Sequence, residues 1–322
     1  MQTKTPPLPK IFPSLHPFRL FLLCSLLLFT AAQAGAVQIS EYRVIREPVA
    51  DRSGRALWAV RSFKADGVPH RVAVDAATLQ TLDLPAAALA PRKESEAGFS
   101  ATRLGRAVRK FTAPPYRLQN GGATRAETEP DGVFLTVDLC PSKRPFEREM
   151  FEAAALLSHG TPVPVAVMVS GLWLASHPDE VAYLKGEIAA GRLAVTWVNH
   201  SWHHHYDPQA PLDENFLLAP GTDILSEVLE LEQQLLARGL VPSPFFRFPG
   251  LVSDHAAMAR LAELSLIPVG ADAWLAKGEE PRRGSFILVH GNGNEPKGVK
   301  LVLPLLKGKG VHLLPLPVAF AD

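Results

Sequence analysis

From Gly132 onward the chain alternates between short β-prone runs and longer segments with apolar residues at helical spacing. No other feature limits the possible folds as much. Val133-Phe134-Leu135-Thr136-Val137 reads as a buried strand, residues 147–157 as a helix and residues 163–169 as a second strand. In residues 178–190, Val181, Leu184 and Ile188 lie on one helical stripe, and a strand follows at 193–198. The long helix expected at 223–238 carries Ile224, Val228, Leu231 and Leu235, with Asp223 as its N-cap and Gly239 as its stop. A strand at 245–247, a helix at 254–264, short strands at 267–270 and 286–289, and a last helix-strand pair ending near Leu316 complete the pattern. Repeated β-α units build a parallel sheet, closed as a barrel or open. In both forms functional groups gather at the carboxyl ends of the strands. Asp138, His200, Arg247, Asp272 and His290 all fall at or just past such an end.

The part before Gly132 follows other rules. Residues 35–86 hold brief alternating runs, such as Val37-Gln38-Ile39, Ala56-Leu57-Trp58-Ala59-Val60 and Val72-Ala73-Val74, and read as a small β-rich module. Residues 87–130, rich in Ala, Pro, Arg, Gly and Glu, read as a linker with one short helix near 104–111. At the N-terminus Lys4, Lys10 and Arg19 precede an apolar run over 20–32 and the small-residue site Ala32-Gln33-Ala34. The run is shorter than the ~20 residues needed to span a bilayer, so residues 1–34 read as a cleaved secretory signal and no stable membrane span is expected. The expected location is therefore secreted or periplasmic. Cleavage removes three positive charges, taking the formal net charge from +1 to −2, and argues against a nucleic-acid partner. With Cys24 inside the signal, Cys140 is the single mature cysteine, and no intramolecular disulfide is possible.

Four of the chain's 11 histidines lie between His200 and His205, directly after the strand at 193–198. His200 and His204 are four apart, so a helical turn would put both on one face, where two imidazoles can meet one ion. By itself His-x-x-x-His is more often a solvated cluster than a metal site. No Gly-x-Ser-x-Gly elbow or phosphate loop is present, and Gly291-Asn292-Gly293 lacks the third glycine of a dinucleotide fingerprint.

Taken in order, five short motifs resemble those of the polysaccharide deacetylases of carbohydrate esterase family 4, the NodB-homology domain, over residues 131–322. They are Thr136-Val137-Asp138-Leu139, His200-Ser201-Trp202-His203-His204, Arg247-Phe248-Pro249, Asp272-Ala273-Trp274 and Leu288-Val289-His290. The resemblance implies an α/β fold, a distorted (β/α) barrel of the polysaccharide deacetylase type, preceded by the small β-rich module. It further implies an exported hydrolase that removes acetyl groups from a polysaccharide or peptidoglycan-type glycan with a divalent metal, zinc first. In that reading Asp138 is the general base, His290 the general acid, Arg247 the partner that keeps Asp138 ionised and Asp272 the orienter of the acid-base set. His200 and His204 hold the metal, and Trp274 and Leu288 line the acetyl pocket.

One position departs from the pattern. Where the family has a second aspartate that ligates the metal, this chain has Leu139. Three accounts are open: Asp138 serves as ligand as well as base; Cys140 or Asp207 substitutes; or no metal binds and the chain is a catalytically impaired glycan-binding or scaffold protein. Under the last account Leu139→Asp restores metal binding, and Cys140 is an inert small residue at a strand end. A metal-independent amide hydrolase leaves the two histidines without a purpose.

Overall fold

The computed structural model describes residues 1–2, 36–308 and 310–321, so the expected signal at 1–34 and Cys24 lie outside the described residues. Residues 36–322 form one compact unit. Strands β1 (Ile39–Ala50), β2 (Ala56–Ala65), β3 (Val68–Asp75), β4 (Thr81–Pro85) and β5 (Ala90–Pro91) make an antiparallel sheet in the order β4-β3-β2-β1-β5. Helices α1 (Glu96–Ala101) and α2 (Arg103–Phe111) follow. The second sheet draws on β6 (Phe134–Leu139), α3 (Arg148–Ala155), β7 (Val163–Val169), α4 (Gly171–Ser176), α5 (Pro178–Ala189), β8 (Leu193–Asn199), α6 (Ile224–Ala237), β9 (Pro242–Phe246), α7 (His255–Glu263), β10 (Ile267–Pro268), β11 (Ala273–Trp274), β12 (Phe286–His290) and α8 (Pro296–Lys307). Its seven strands are parallel, in the order β10-β9-β8-β7-β6-β12-β11.

The expected α/β class is the one found, a curled parallel sheet with helices and a separate antiparallel sheet. β10 and β11 sit at the two edges and do not pair with each other. Residues 123–126 bridge that gap: Ala123 N–H donates to Pro268 O at 3.0 Å, Gly270 N–H to Ala123 O at 2.7 Å, and Ala126 N–H to Gly284 O at 2.9 Å. The stretch expected as a linker thus carries two helices and part of the barrel wall.

Strand alternation sorts the core into two faces. On the helix-covered face, Leu135, Val137, Leu139, Val165, Val167 and Val169 pack with Phe151, Trp173, Leu184, Leu235 and Val302. On the inner face, Phe134, Met168, Phe245, Phe286 and Leu288 share a core with Trp58, Val60, Phe63 and Val74 of the antiparallel sheet and Leu104 and Val108 of α2. Parallel strands buried on both faces explain why β6 and β7 read as nearly continuous apolar runs. The N-terminal sheet is keyed to the rest by a buried ion pair. Arg61 Nε and Nη2 donate to Glu232 of α6 at 2.7 and 2.9 Å, and Tyr42 Oη donates to the same carboxylate at 2.8 Å.

Helix limits follow their caps. Asp223 accepts from Leu225 N–H and Asp254 from Ala257 N–H, while Gly239 ends α6 at φ 71°. The last expected strand is not found among the described residues. After α8 a single bridge, Val133 to Leu313, leads to a 3-10 helix at Leu316–Phe320, because Pro315 and Pro317 cannot donate to a ladder. No helix of the described residues is long and apolar enough to cross a membrane.

Candidate active site

At the carboxyl ends of β6, β8, β9 and β12 lies a cavity of about 640 Å³, lined among others by Asp138, Cys140, His200, His204, Trp274, Leu288, His290 and Glu295. Each ligand position follows from strand pleat. Because successive side chains alternate, Thr136 and Asp138 face inward with Phe134, whereas Leu139 turns to the helix-covered core, where it is fully buried. The next inward-facing residue is Cys140. Its Sγ lies 3.6 Å from His200 Nε2, and it forms with His200 and His204 a group whose donor atoms all lie within 4.8 Å of one another. Cys140 thus lines the cavity beside the two imidazoles, and Leu139 does not: against the expectation for Leu139→Asp, a carboxylate at 139 would point into the helix-covered core. Asp207 is exposed, and its carboxylate accepts from Gln209 N–H at 2.8 Å outside the group.

The two histidines do not converge through a helical turn. The loop after β8 has no helical hydrogen bonding from 200 to 205, and Ser201 and His204 take left-handed conformations with φ of 65° and 49°. Ser201 Oγ accepts from His204 N–H at 3.2 Å and holds this bend. The rings meet edge to face, 4.8 Å apart. His200 Nδ1 carries a proton, since it donates to Arg247 O at 2.8 Å, and Nε2 is the ring nitrogen turned toward Cys140. His204 Nε2 is buried with no hydrogen-bond partner. Burial pushes the Cys140 thiol up, but the neighbouring His204 and His290 bring it well below its usual range. A cysteine sulfur and two imidazole nitrogens, one of them buried and unpartnered, are donors suited to a borderline-soft divalent ion such as Zn²⁺. Of the cluster's other members, His203 is committed elsewhere, its Nδ1 donating to Glu227 Oε1 at 2.6 Å.

Beside these donors stands the acid-base set. Arg247, fully buried, donates from Nη1 to Asp138 Oδ1 at 2.7 Å and to Thr136 Oγ1 at 2.8 Å, and from Nη2 to Gly270 O at 2.7 Å. Burial raises the Asp138 carboxyl, but Arg247, then His200 and His290, more than offset it and hold it below the usual carboxylate range. His290 donates from Nδ1 to Glu295 Oε2 at 2.8 Å, and Trp274 Nε1 donates to the same oxygen at 2.8 Å. Burial lowers the His290 imidazole, yet Cys140, Glu295 and Asp138 together hold it well above its ordinary value. A carboxyl group held toward its ionised form thus shares the cavity with an imidazole held toward its protonated form.

No protein-family model matches the sequence. The chain is similar in fold to solved family 4 carbohydrate esterases. One, from Bacillus anthracis, is 19% identical with a TM-score of 0.46, over 62% of this chain and 87% of that chain. A peptidoglycan N-acetylglucosamine deacetylase is 18% identical with a TM-score of 0.45, over 62% and 93%. A family 4 pseudoenzyme from Bacillus anthracis is 14% identical with a TM-score of 0.43, over 63% and 70%.

The structure brings together Asp138, His200, His204, Arg247, Trp274, Leu288 and His290 and leaves out Asp272. Asp272 Oδ1 accepts from Phe286 N–H at 3.0 Å, at the start of β12, while His290 ends that strand. Four residues of strand put them about 13 Å apart, so Asp272 anchors the far end of the sheet edge together with Ser285, and cannot orient His290. That task falls to Glu295, which sequence reasoning missed. The available signal was a carboxylate five residues past the histidine, on the loop leaving a strand end. Asn292, fully buried, was also missed; its Nδ2 donates to Cys140 O at 2.6 Å and fixes the cysteine's backbone.

Proposed function

We propose that this chain is a metal-assisted hydrolase that removes acetyl groups from an N-acetylated glycan of the polysaccharide or peptidoglycan type. The observation that carries this reading is the juxtaposition, in one cavity, of the Cys140, His200 and His204 donors with an ionised Asp138 and a protonated His290. Cys140, His200 and His204 would hold the ion, which when bound supplies Lewis-acid polarisation of a carbonyl and a more acidic water. Asp138 takes the proton from the attacking water. Arg247 keeps the carboxylate ionised by bonding Oδ1, while Oδ2 lies 3.8 Å from His200 Nε2, on the side of the proposed ligands. His290, with Nδ1 committed to Glu295, offers its Nε2 proton to the departing amine. Leu288 and Trp274 form an apolar wall of a size to receive an acetyl methyl.

The non-enzymatic reading rests on Leu139 as a missing ligand; the inward position of Cys140 supports the enzymatic reading instead. We further read residues 1–34 as a secretory signal, which would place the site among glycans outside the cytoplasm. N-terminal sequencing of the exported protein tests this, with cleavage after Ala34 as the expected result.

The experiment for the activity is acetate release from N-acetylglucosamine oligomers and peptidoglycan fragments, before and after chelation and re-addition of Zn²⁺. Release abolished by the chelator, restored by the ion and lost in His200→Ala and Asp138→Asn is the expected result. No release from any of these glycans by ion-loaded protein overturns the reading.

A further inference from the structure

Resting on the glycan reading above, we propose that the stacked pair Tyr206–Phe216 is a platform for a sugar ring next to the one deacetylated, so that the site takes a chain and not a single sugar. Both residues line the cavity that holds Asp138 and His290. Tyr206 stacks on Phe216 with ring centroids 5.3 Å apart and planes 20° from parallel. Phe216 is 7% exposed, but Tyr206 is 59% exposed, so the tyrosine's outer face lies open at the mouth of the site.

The local structure sets this pair at a cost. Phe216 adopts φ 55°, a left-handed conformation worth about 1–2 kcal/mol of strain in a residue with a Cβ. Its ring lies against Gly250, where a Cβ would come within 2.3 Å of Phe216 Cε2. Asn215, 1% exposed, secures the loop from within. Its Oδ1 accepts from Phe216 N–H and from Asp207 N–H, both at 3.0 Å, and its Nδ2 donates to Asp207 O at 2.5 Å. The side chain therefore ties Phe216 to the residue directly after Tyr206 and holds the two rings in register. Phe216 also meets the His204 ring edge to face at 5.6 Å, so the platform is continuous with the metal donors.

An open, preorganised aromatic face at a cavity mouth is matched by the apolar face of a pyranose, whose C–H groups pack on a π-face while its hydroxyls stay in water. Preorganisation by Asn215 and Gly250 removes the ordering cost that a loose loop would add on binding.

The test is calorimetry with N-acetylglucosamine and its linear tetramer, on the full chain carrying Asp138→Asn to stop turnover, with melting temperatures measured alongside. The expected result is that the tetramer binds more tightly than the monomer, that Tyr206→Ala weakens tetramer binding about tenfold, and that Tyr206→Phe stays within about twofold. A natively melting Tyr206→Ala protein with unchanged tetramer affinity overturns the platform while leaving the glycan reading standing. Loss of affinity in Tyr206→Phe equal to that in Tyr206→Ala assigns the effect to the hydroxyl and also overturns it. Absence of binding to either probe before any change at Tyr206 overturns the glycan reading itself.

Discussion

Substitutions at the adjacent positions 139 and 140 should have opposite consequences, because one faces the helix-covered core and the other the cavity. Leu139 is fully buried among Val137, Met150 and Phe151. Removing its isobutyl group costs about 2–5 kcal/mol, and a carboxyl group buried there without a partner adds about 1–3 kcal/mol. Leu139→Asp should therefore lose at least about 3 kcal/mol. At roughly 2–4 °C per kcal/mol for a body of this size, the melting temperature falls by at least about 6–12 °C, with no gain in metal uptake. Cys140→Ala removes a single small side chain and should cost only about 1 kcal/mol of packing. It also removes one of three donors, however. An ion present at a hundred times its dissociation constant stabilises a folded protein by about 2.7 kcal/mol, or roughly 5–11 °C. The native protein should show that rise on addition of Zn²⁺, and Cys140→Ala should lose most of it. Co²⁺ in place of Zn²⁺ should give a sulfur-to-metal charge-transfer band that Cys140→Ala lacks. Two results would refute the reasoning: a Cys140→Ala protein whose melt rises with the ion as the native does, or a Leu139→Asp protein that melts normally and binds more metal.

Four further outcomes follow from the structure. Activity requires Asp138 ionised and His290 protonated; with the first held below the carboxylate range and the second well above the imidazole range, the rate should be flat through neutral pH, falling in acid as Asp138 protonates and in alkali as His290 loses its proton. Glu295→Gln removes one of the groups that raise His290, so the alkaline limb of kcat should move to lower pH; an unmoved limb would deny Glu295 its positioning role. Arg61→Ala strands Glu232 without its buried partner and should cost about 3–5 kcal/mol in urea unfolding, whereas Arg61→Met with Glu232→Leu should recover most of the loss. Gly250→Ala forces a Cβ into the Phe216 ring at a left-handed position, so it should lower the melting temperature and weaken tetramer binding in calorimetry; native values in both would remove Gly250 from the support of the platform.

Period and punctuation carried much of the architecture. Continuous apolar β-prone runs and helical stripes located β6, β7, β8, α5, α6 and α7 to within a few residues, since their burial patterns repeat the pattern of the sequence. They misjudged residues 87–130, where Pro and Gly clusters read as a linker. There the backbone amides of Ala123 and Ala126 are satisfied by partners more than a hundred residues away, and no local pattern reveals such pairing.

At the candidate site the sequence by itself determined which groups are present: two histidines after one strand, an aspartate and a cysteine at the end of another, an arginine and a third histidine at two more. Only the tertiary structure decided how they are used. Whether position 139 or 140 faces the cavity depends on how far the pleat of β6 runs before the chain turns. Whether Asp272 or Glu295 reaches His290 depends on which end of β12 each lies beside. The first turns on a single residue of pleat and the second on about 13 Å along one strand, and neither can be read from the local sequence.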